Sequence, residues 1–153
     1  MIDLDETDRR ILRQLQRTGR LSNAELSEAV ALSPSACHRR VARLEQAGII
    51  GGYVALLDRA ALGRRATVFV EITLAGQTVE ALDSFEAAVM RIPEVLECHL
   101  TAGGADYLLK IVVEDSEDFA RLHRQHLSRL PGVSQMQSSF ALKRVRETTE
   151  LPL

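Results

Sequence analysis

The sequence predicts an α+β chain in two parts: a small helical head, then a domain ordered βαββαβ. Three observations predict it. Apolar residues recur at helical spacing within the first fifty residues, whereas strict alternation first appears at Thr67. A helix-to-strand signature then occurs twice, as Arg91-Ile92-Pro93-Glu94-Val95 and as Arg129-Leu130-Pro131-Gly132-Val133.

The 153 residues suffice for two small domains, and 46% hydrophobic with 26% charged residues is an ordinary globular composition. Net charge is −2, so the chain is no polycation. Residues 1–60 carry nine Arg against eight acids, and the remainder ten basic residues against thirteen. Anion binding must therefore come from a local patch. The longest apolar runs, such as Val54–Leu57, are too short to span a bilayer, so no membrane partner is expected. The acidic start, Met1-Ile2-Asp3-Leu4-Asp5, lacks a signal-peptide pattern. Cys37 and Cys98 lie in different halves and make no disulfide framework. These features predict a soluble, cytoplasmic protein.

In the head, Ile11, Leu12 and Leu15 form an apolar stripe with Leu4 just upstream, Asp5 as N-cap and Gly19 as the stop. Ser22-Asn23-Ala24-Glu25 is a capping box, opening a short helix with Leu26, Ala29 and Val30 inward. Only Ala31 and Leu32 separate it from Ser33-Pro34, an N-cap followed by proline at the first helical position. The third helix runs to about Ala47 and stops at Gly48. Helix, short helix, tight turn and helix is the pattern of a helix-turn-helix, whose second member enters the major groove.

Leu32 to Glu45 reads LSPSACHRRVARLE, with no acid before its end. If Cys37, Val41 and Leu44 face inward, a 100° step sends Ser35, Arg39, Ala42 and Gln46 outward, with His38 and Arg43 flanking. Small Ser35, Ala36 and Ala42 beside long Arg39 and Arg43 suit close approach to a groove. Arginine reads guanine bidentately and also binds phosphate. Arg39 is therefore expected to read bases with Ser35 and His38 assisting, and Ser33 and Arg43 to contact phosphate. Arg40 lies nearer the buried edge, where it would either join the DNA surface or brace the domain through an ion pair. Arginines alone favour a plain solvated helix face; the short turn and paired caps favour DNA.

Ile49-Ile50 and Tyr53–Leu57 read as a short strand through Gly51-Gly52, either a wing or an inter-domain strand, followed by a loop to Arg64-Arg65. The expected division is a head at 1–50, a connector at 51–65 and a second domain at 66–153.

In the second domain Val68, Val70, Ile72 and Leu74 alternate with Thr67, Glu71 and Thr73, with Phe69 the apolar exception. Val79, Leu82, Phe85 and Val89 give a helix ending near Arg91. Strands at Val95–Thr101 and Asp106–Val113 flank the turn Ala102-Gly103-Gly104-Ala105. A second helix carries Phe119, Leu122, His126 and Leu130, and a last strand runs from about Val133 to Leu142. The order βαββαβ is ferredoxin-like. With both helices on one face, the other face would carry Phe69, Leu96, Cys98 or their alternates, and a second subunit is expected to cover it.

Leu4–Leu12, Leu32-Ser33-Pro34-Ser35 with Cys37 and Arg39-Arg40-Val41, Leu44-Glu45 through Gly48-Ile49-Ile50, Glu97-Cys98-His99 and Ala105–Leu109 together resemble the Lrp/AsnC family, the leucine-responsive or feast/famine transcription regulators. The resemblance covers essentially the whole chain. It implies a homodimer built through the βαββαβ domains and assembling to tetramers or octamers. It also implies degenerate palindromic sites on double-stranded DNA and an amino-acid effector held between dimers, with no other cofactor and no metal. The family's pocket corresponds here to Leu100, Thr101, Gly103, Gly104, Asp106, Ser138, Ser139 and Phe140. Turn glycines can hold a carboxylate through their amides, and an aspartate can take an α-ammonium. Members often show Gly-Asp-x-Asp-Tyr at the turn; here Gly104 replaces the first acid, leaving Asp106.

Three alternatives stand beside this reading: an effector-independent DNA-binding protein, a pure ligand-binding or assembly module with a vestigial DNA head, and a siroheme-type tetrapyrrole decarboxylase of the same architecture. His123 and His126, three apart on a helix, are the ligand candidates for the latter, but structural or surface roles are the plainer expectation. Acids at Glu114-Asp115 and Glu117-Asp118 suit a helix N-terminus. No Ser/His/Asp set or phosphate loop is recognisable, and no catalytic residue is expected.

Overall fold

The computed structural model describes residues 3–153. Its described residues divide into two compact units, one of residues 3–56 with 146–153, the other of residues 57–145.

The first unit holds three helices, α1 (Glu6–Arg17), α2 (Asn23–Ala29) and α3 (Pro34–Gln46). Each begins where a side chain satisfies orphan amides. Asp5 and Asp8 form a capping box on α1, Ser22 and Glu25 form one on α2, and Ser33 caps α3 ahead of Pro34. Gly48, at φ 70°, ends α3, with the Ile49 amide returning to the Leu44 carbonyl at 3.0 Å. Ile11, Leu12, Leu26, Val30, Cys37 and Leu44 form the core. Ala29 is exposed and Ser27 is buried in its place. On α2 the positions 26, 27 and 30 share one arc of about 100°, which position 29 falls outside.

The segment Ile49–Leu57 is not a strand, and among the described residues the first unit contains none. Its apolar residues have no ladder to join: Val54, Leu56 and Leu57 are all exposed. Residues 146–153 lie along α1. Gln16 exchanges two hydrogen bonds with the Leu151 main chain, at 2.5 and 3.3 Å, and Arg13 donates to the Leu153 oxygen at 2.8 and 3.1 Å.

The second unit is a four-stranded antiparallel sheet, with β1 (Ala66–Leu74), β2 (Val95–Leu100), β3 (Tyr107–Val113) and β4 (Val133–Phe140) in the order β2-β3-β1-β4. Helices α4 (Val79–Val89) and α5 (Ser116–Gln125) complete the βαββαβ order. Val68, Val70, Ile72 and Leu74 point into a core shared with Phe85, Tyr107, Leu109, Ile111 and Leu127. Thr78 and Asp115 cap the two helices.

Three expectations change here. His126 is exposed rather than part of the apolar face, because α5 breaks there and a 3₁₀ turn, Leu127–Arg129, shifts the phase so that Leu127 is buried. Cys98 packs against the core, not on the open face, since an irregularity between Val95 and Glu97 resets the alternation of β2. The last strand stops at Phe140 rather than Leu142. Phe69 and Leu96 remain exposed.

Candidate functional site

The turn between α2 and α3 is compact and over-determined. Ala31 sits at φ 55°, the sole positive-φ non-glycine among the described residues. Its amide donates to the Glu28 carbonyl at 3.1 Å, and the Leu32 amide donates to the Ser27 carbonyl at 2.9 Å. The Asn23 side-chain amide reaches forward to the Pro34 carbonyl at 2.9 Å. These bonds hold a conformation that costs an alanine roughly 1 kcal/mol, and they fix the angle at which α3 leaves the domain.

The three arginines of α3 have different surroundings. Asp8, fully buried on α1, accepts from Arg40 at 2.8 Å and pairs also with Arg43. Arg40 reaches Asp5 as well, at 2.7 Å. The Asp8 amide, which donates to the Asp5 carboxylate, and then the Arg40 guanidinium hold the Asp5 carboxyl below its ordinary 3.8. The same two carboxylates push the Arg40 pKa up. Arg40 is therefore the bracing arginine of the two roles open to it. Arg43, expected at a phosphate, pairs with Asp8 while its side chain stays 45% exposed. Arg39 is exposed, with no ion pair among the described residues. It lines a hollow with Asp5, Arg40, Ala42, Arg43 and Gln46.

Ser33 spends its hydroxyl on the cap, accepting from the Ala36 amide at 3.3 Å and lying 3.3 Å from the Ser35 hydroxyl. Ser35 and His38 are exposed and Ala36 is half-buried. Asp8 is the residue the sequence reading missed. It stands three, four and seven residues before Ile11, Leu12 and Leu15, on the very stripe that packs inward, and an acid there requires a cationic partner.

The residues proposed for an effector fall into two groups that a single chain does not bring together. Leu100, Thr101, Gly103 and Gly104 are exposed in and beside the β2–β3 turn. The Thr101 amide donates to the Asp106 carbonyl at 2.8 Å and its hydroxyl to the Ala105 carbonyl at 2.7 Å. A Cβ on Gly103 or Gly104 would meet nothing within 4 Å. Asp106 is buried, its carboxylate accepting from the Leu74 amide at 2.7 Å and from the Gln77 side chain at 2.6 Å. It ties the turn to the end of β1. Ser138, Ser139 and Phe140 lie beyond β1 on β4, opposite Val70, Phe69 and Val68. That is roughly 9 Å across the sheet, and further along it, from the turn. Alternation also splits them: Phe140 meets Phe119 edge-on at 5.4 Å, on the helix side, while Ser139 lies opposite exposed Phe69.

The histidines do not converge. His123 packs its ring 6.3 Å from that of Phe119, His126 is exposed, and His99 pairs with Glu97 at 3.3 Å. Among the described residues no group of three His, Cys, Asp or Glu is placed to share a metal, and no helix is long and apolar enough to cross a membrane.

Comparison with known proteins accords with both units. Residues 4–50 match a winged helix-turn-helix DNA-binding family and residues 67–151 match the Lrp/AsnC ligand binding domain. The leucine-responsive regulatory protein of Salmonella typhimurium is 45% identical over 149 residues, covering 97% of this chain and 91% of that protein. A transcriptional regulator of Neisseria meningitidis solved with L-Met has a TM-score of 0.93 at 43% identity, covering 98% of this chain and 97% of that one. An AsnC family transcriptional regulator of Agrobacterium tumefaciens also has a TM-score of 0.93, at 37% identity and 97% coverage of each chain. With a DNA-binding helix-turn-helix at one end and this ligand-binding domain over most of the rest, the chain belongs to the Lrp/AsnC family of transcription regulators.

Proposed function

We propose that α3 reads DNA chiefly through Arg39, with Ser35 and His38 beside it, and that a small amino acid bound by the second domain modulates the outcome. The observation that carries the first half is the division of labour on α3. Asp8 engages Arg40 and Arg43, so the exposed guanidinium without an acidic partner among the described residues is Arg39, on a face whose neighbours Ser35 and Ala42 are small. Arg43 then supplies charge near the phosphates rather than a dedicated contact.

The effector reading is supported by the named relatives, one leucine-responsive and one holding L-Met. The separation of the turn from Ser138–Phe140 supports a pocket completed by a second copy of the chain. In that arrangement Asp106 shapes the turn from below, while the open amides around Gly103 and Gly104 receive the carboxylate. The exposed apolar face carrying Phe69 and Leu96 supports a homodimer, with higher assemblies following from it. That the relatives are transcription regulators supports a non-catalytic role.

The test is selection of bound duplexes from a random pool by the purified chain, with and without L-Leu or L-Met. The expected result is a degenerate two-fold motif whose recovery changes with one of these amino acids. A pool that emerges without any shared motif would contradict sequence reading.

A further inference from the structure

A second basic surface lies outside the helix-turn-helix, in the unit of residues 57–145. Asp58 folds the chain after it into a turn, accepting from the Ala60 and Ala61 amides at 2.9 and 3.2 Å, and Gly63 at φ 76° reverses the chain. Arg64-Arg65 then lead into β1. The antiparallel pairing of β1 with β4 continues past Phe140, where the Ala141 amide donates to the Thr67 carbonyl at 2.9 Å. This register sets a second basic dipeptide, Lys143-Arg144, beside the first. Arg59, Arg64, Arg65, Lys143 and Arg144 all line one hollow of about 200 Å³.

Arg59 and Arg144 have interactions of their own, but bringing Arg64, Arg65 and Lys143 together costs Coulomb repulsion, and the chain's net charge of −2 shows that this is not a general excess. Arg64 meets Asp118 at 3.4 Å, a solvent-exposed and weak pair. Arg65 and Lys143 have no ion pair among the described residues. Arg64, Arg65, Lys143 and Arg144 are exposed, on extended or turn backbone. Such a rim of long side chains suits a succession of phosphates along a strand better than one enclosed anion.

We propose that this hollow is a phosphate-backbone site for duplex DNA flanking the sequence read by α3, contacted without regard to base sequence. The proposal rests on the DNA-binding reading above. It predicts that affinity depends on duplex length and that the added affinity is strongly salt-dependent.

The test compares wild type with the triple variant Arg64→Ala, Arg65→Ala, Lys143→Ala on two duplexes carrying the same selected site. One is trimmed to about 20 bp and the other extended to about 100 bp. The expected result is unchanged affinity on the short duplex and at least a roughly tenfold loss on the long one, with a slope of log affinity against log salt shallower by about 2–3. The charge-preserving variant Arg64→Lys, Arg65→Lys should retain most of the long-duplex affinity. Equal affinities of triple variant and wild type on the long duplex would overturn the proposal. So would an equal loss on both duplexes, which would mark a general defect. Tripolyphosphate binding that the triple variant abolishes, with long-duplex affinity intact, would replace DNA with a free polyphosphate. Failure of the wild type to hold even the short duplex would instead strike the helix-turn-helix reading.

Discussion

Asp8 of α1 and Arg40 of α3 are joined at 2.8 Å, with the Asp8 side chain wholly excluded from solvent. The pair fastens α1 to α3, and the acid, which also accepts from the Asp5 amide at 3.2 Å in the capping box, finds its cationic partners on α3. Removing Asp8 leaves Arg43 without its acid, Arg40 with Asp5 alone, and the α1 capping box broken; removing one arginine leaves Asp8 the other. Asp8→Ala should therefore destabilise the head by about 2–4 kcal/mol, while Arg43→Ala should cost roughly 1 kcal/mol or less. Urea denaturation followed by helical circular dichroism measures both, and equal losses would mean that Asp8 is no hub.

The strained turn gives a prediction of opposite sign. Ala31→Gly relieves the penalty of a Cβ at φ 55° but enlarges the freedom of the unfolded chain. The net expectation is stabilisation by roughly 0.5–1 kcal/mol, read from the same denaturation midpoints. A loss would show that the turn is held without strain.

Acid should loosen the head through its caps. The Asp8 amide and then Arg40 lower the Asp5 pKa below 3.8, and the Ser22 hydroxyl and amide lower that of Glu25 below 4.5. Both carboxyls bind protons less readily in the folded chain than in the unfolded one. Their contribution is thus complete above the ordinary values and is lost as pH falls through the lower folded ones. Denaturation midpoints from about pH 7 to about pH 3 should be flat down to about pH 5 and then fall. Replacing Glu25 with Gln should shrink that fall.

The effector pocket can be probed where the backbone has room. Gly104 has nothing within 4 Å of an added Cβ and no positive φ, so Gly104→Val should leave the fold intact. It should weaken binding of L-Leu or L-Met at least roughly tenfold by calorimetry, by filling the space over the turn amides. Asp106→Ala is a poorer probe, because it also releases the Leu74 amide and Gln77. Unaltered binding by the valine variant would move the pocket elsewhere.

Much of this architecture was legible in the sequence because it is written locally. Asp5, Ser22, Ser33 and Gly48 mark helix ends by short-range chemistry, and β1 declares itself by alternation over nine residues. What was not legible depends on partners distant along the chain. Nothing near Asp8 announces that Arg40 and Arg43, more than thirty residues later, will claim it. Ile49–Leu57 has the composition of a strand but no neighbouring strand to pair with, so composition alone misleads. The phase slip at His126 and the irregularity in β2 each moved a residue by one position, which suffices to exchange inside for outside. The candidate effector residues Thr101 and Ser139 read as one group only because a resemblance joined them; the sheet order places β3 and β1 between β2 and β4.

The central claim is that one arginine of α3 reads sequence while its two neighbours hold the domain together. The direct measurement is the affinity of Arg39→Ala, against wild type, for a selected site and for random duplex at the same salt. A loss of about 1–3 kcal/mol on the selected site with little change on random DNA is the predicted result. Equal losses on both would reduce Arg39 to a phosphate contact and contradict the claim.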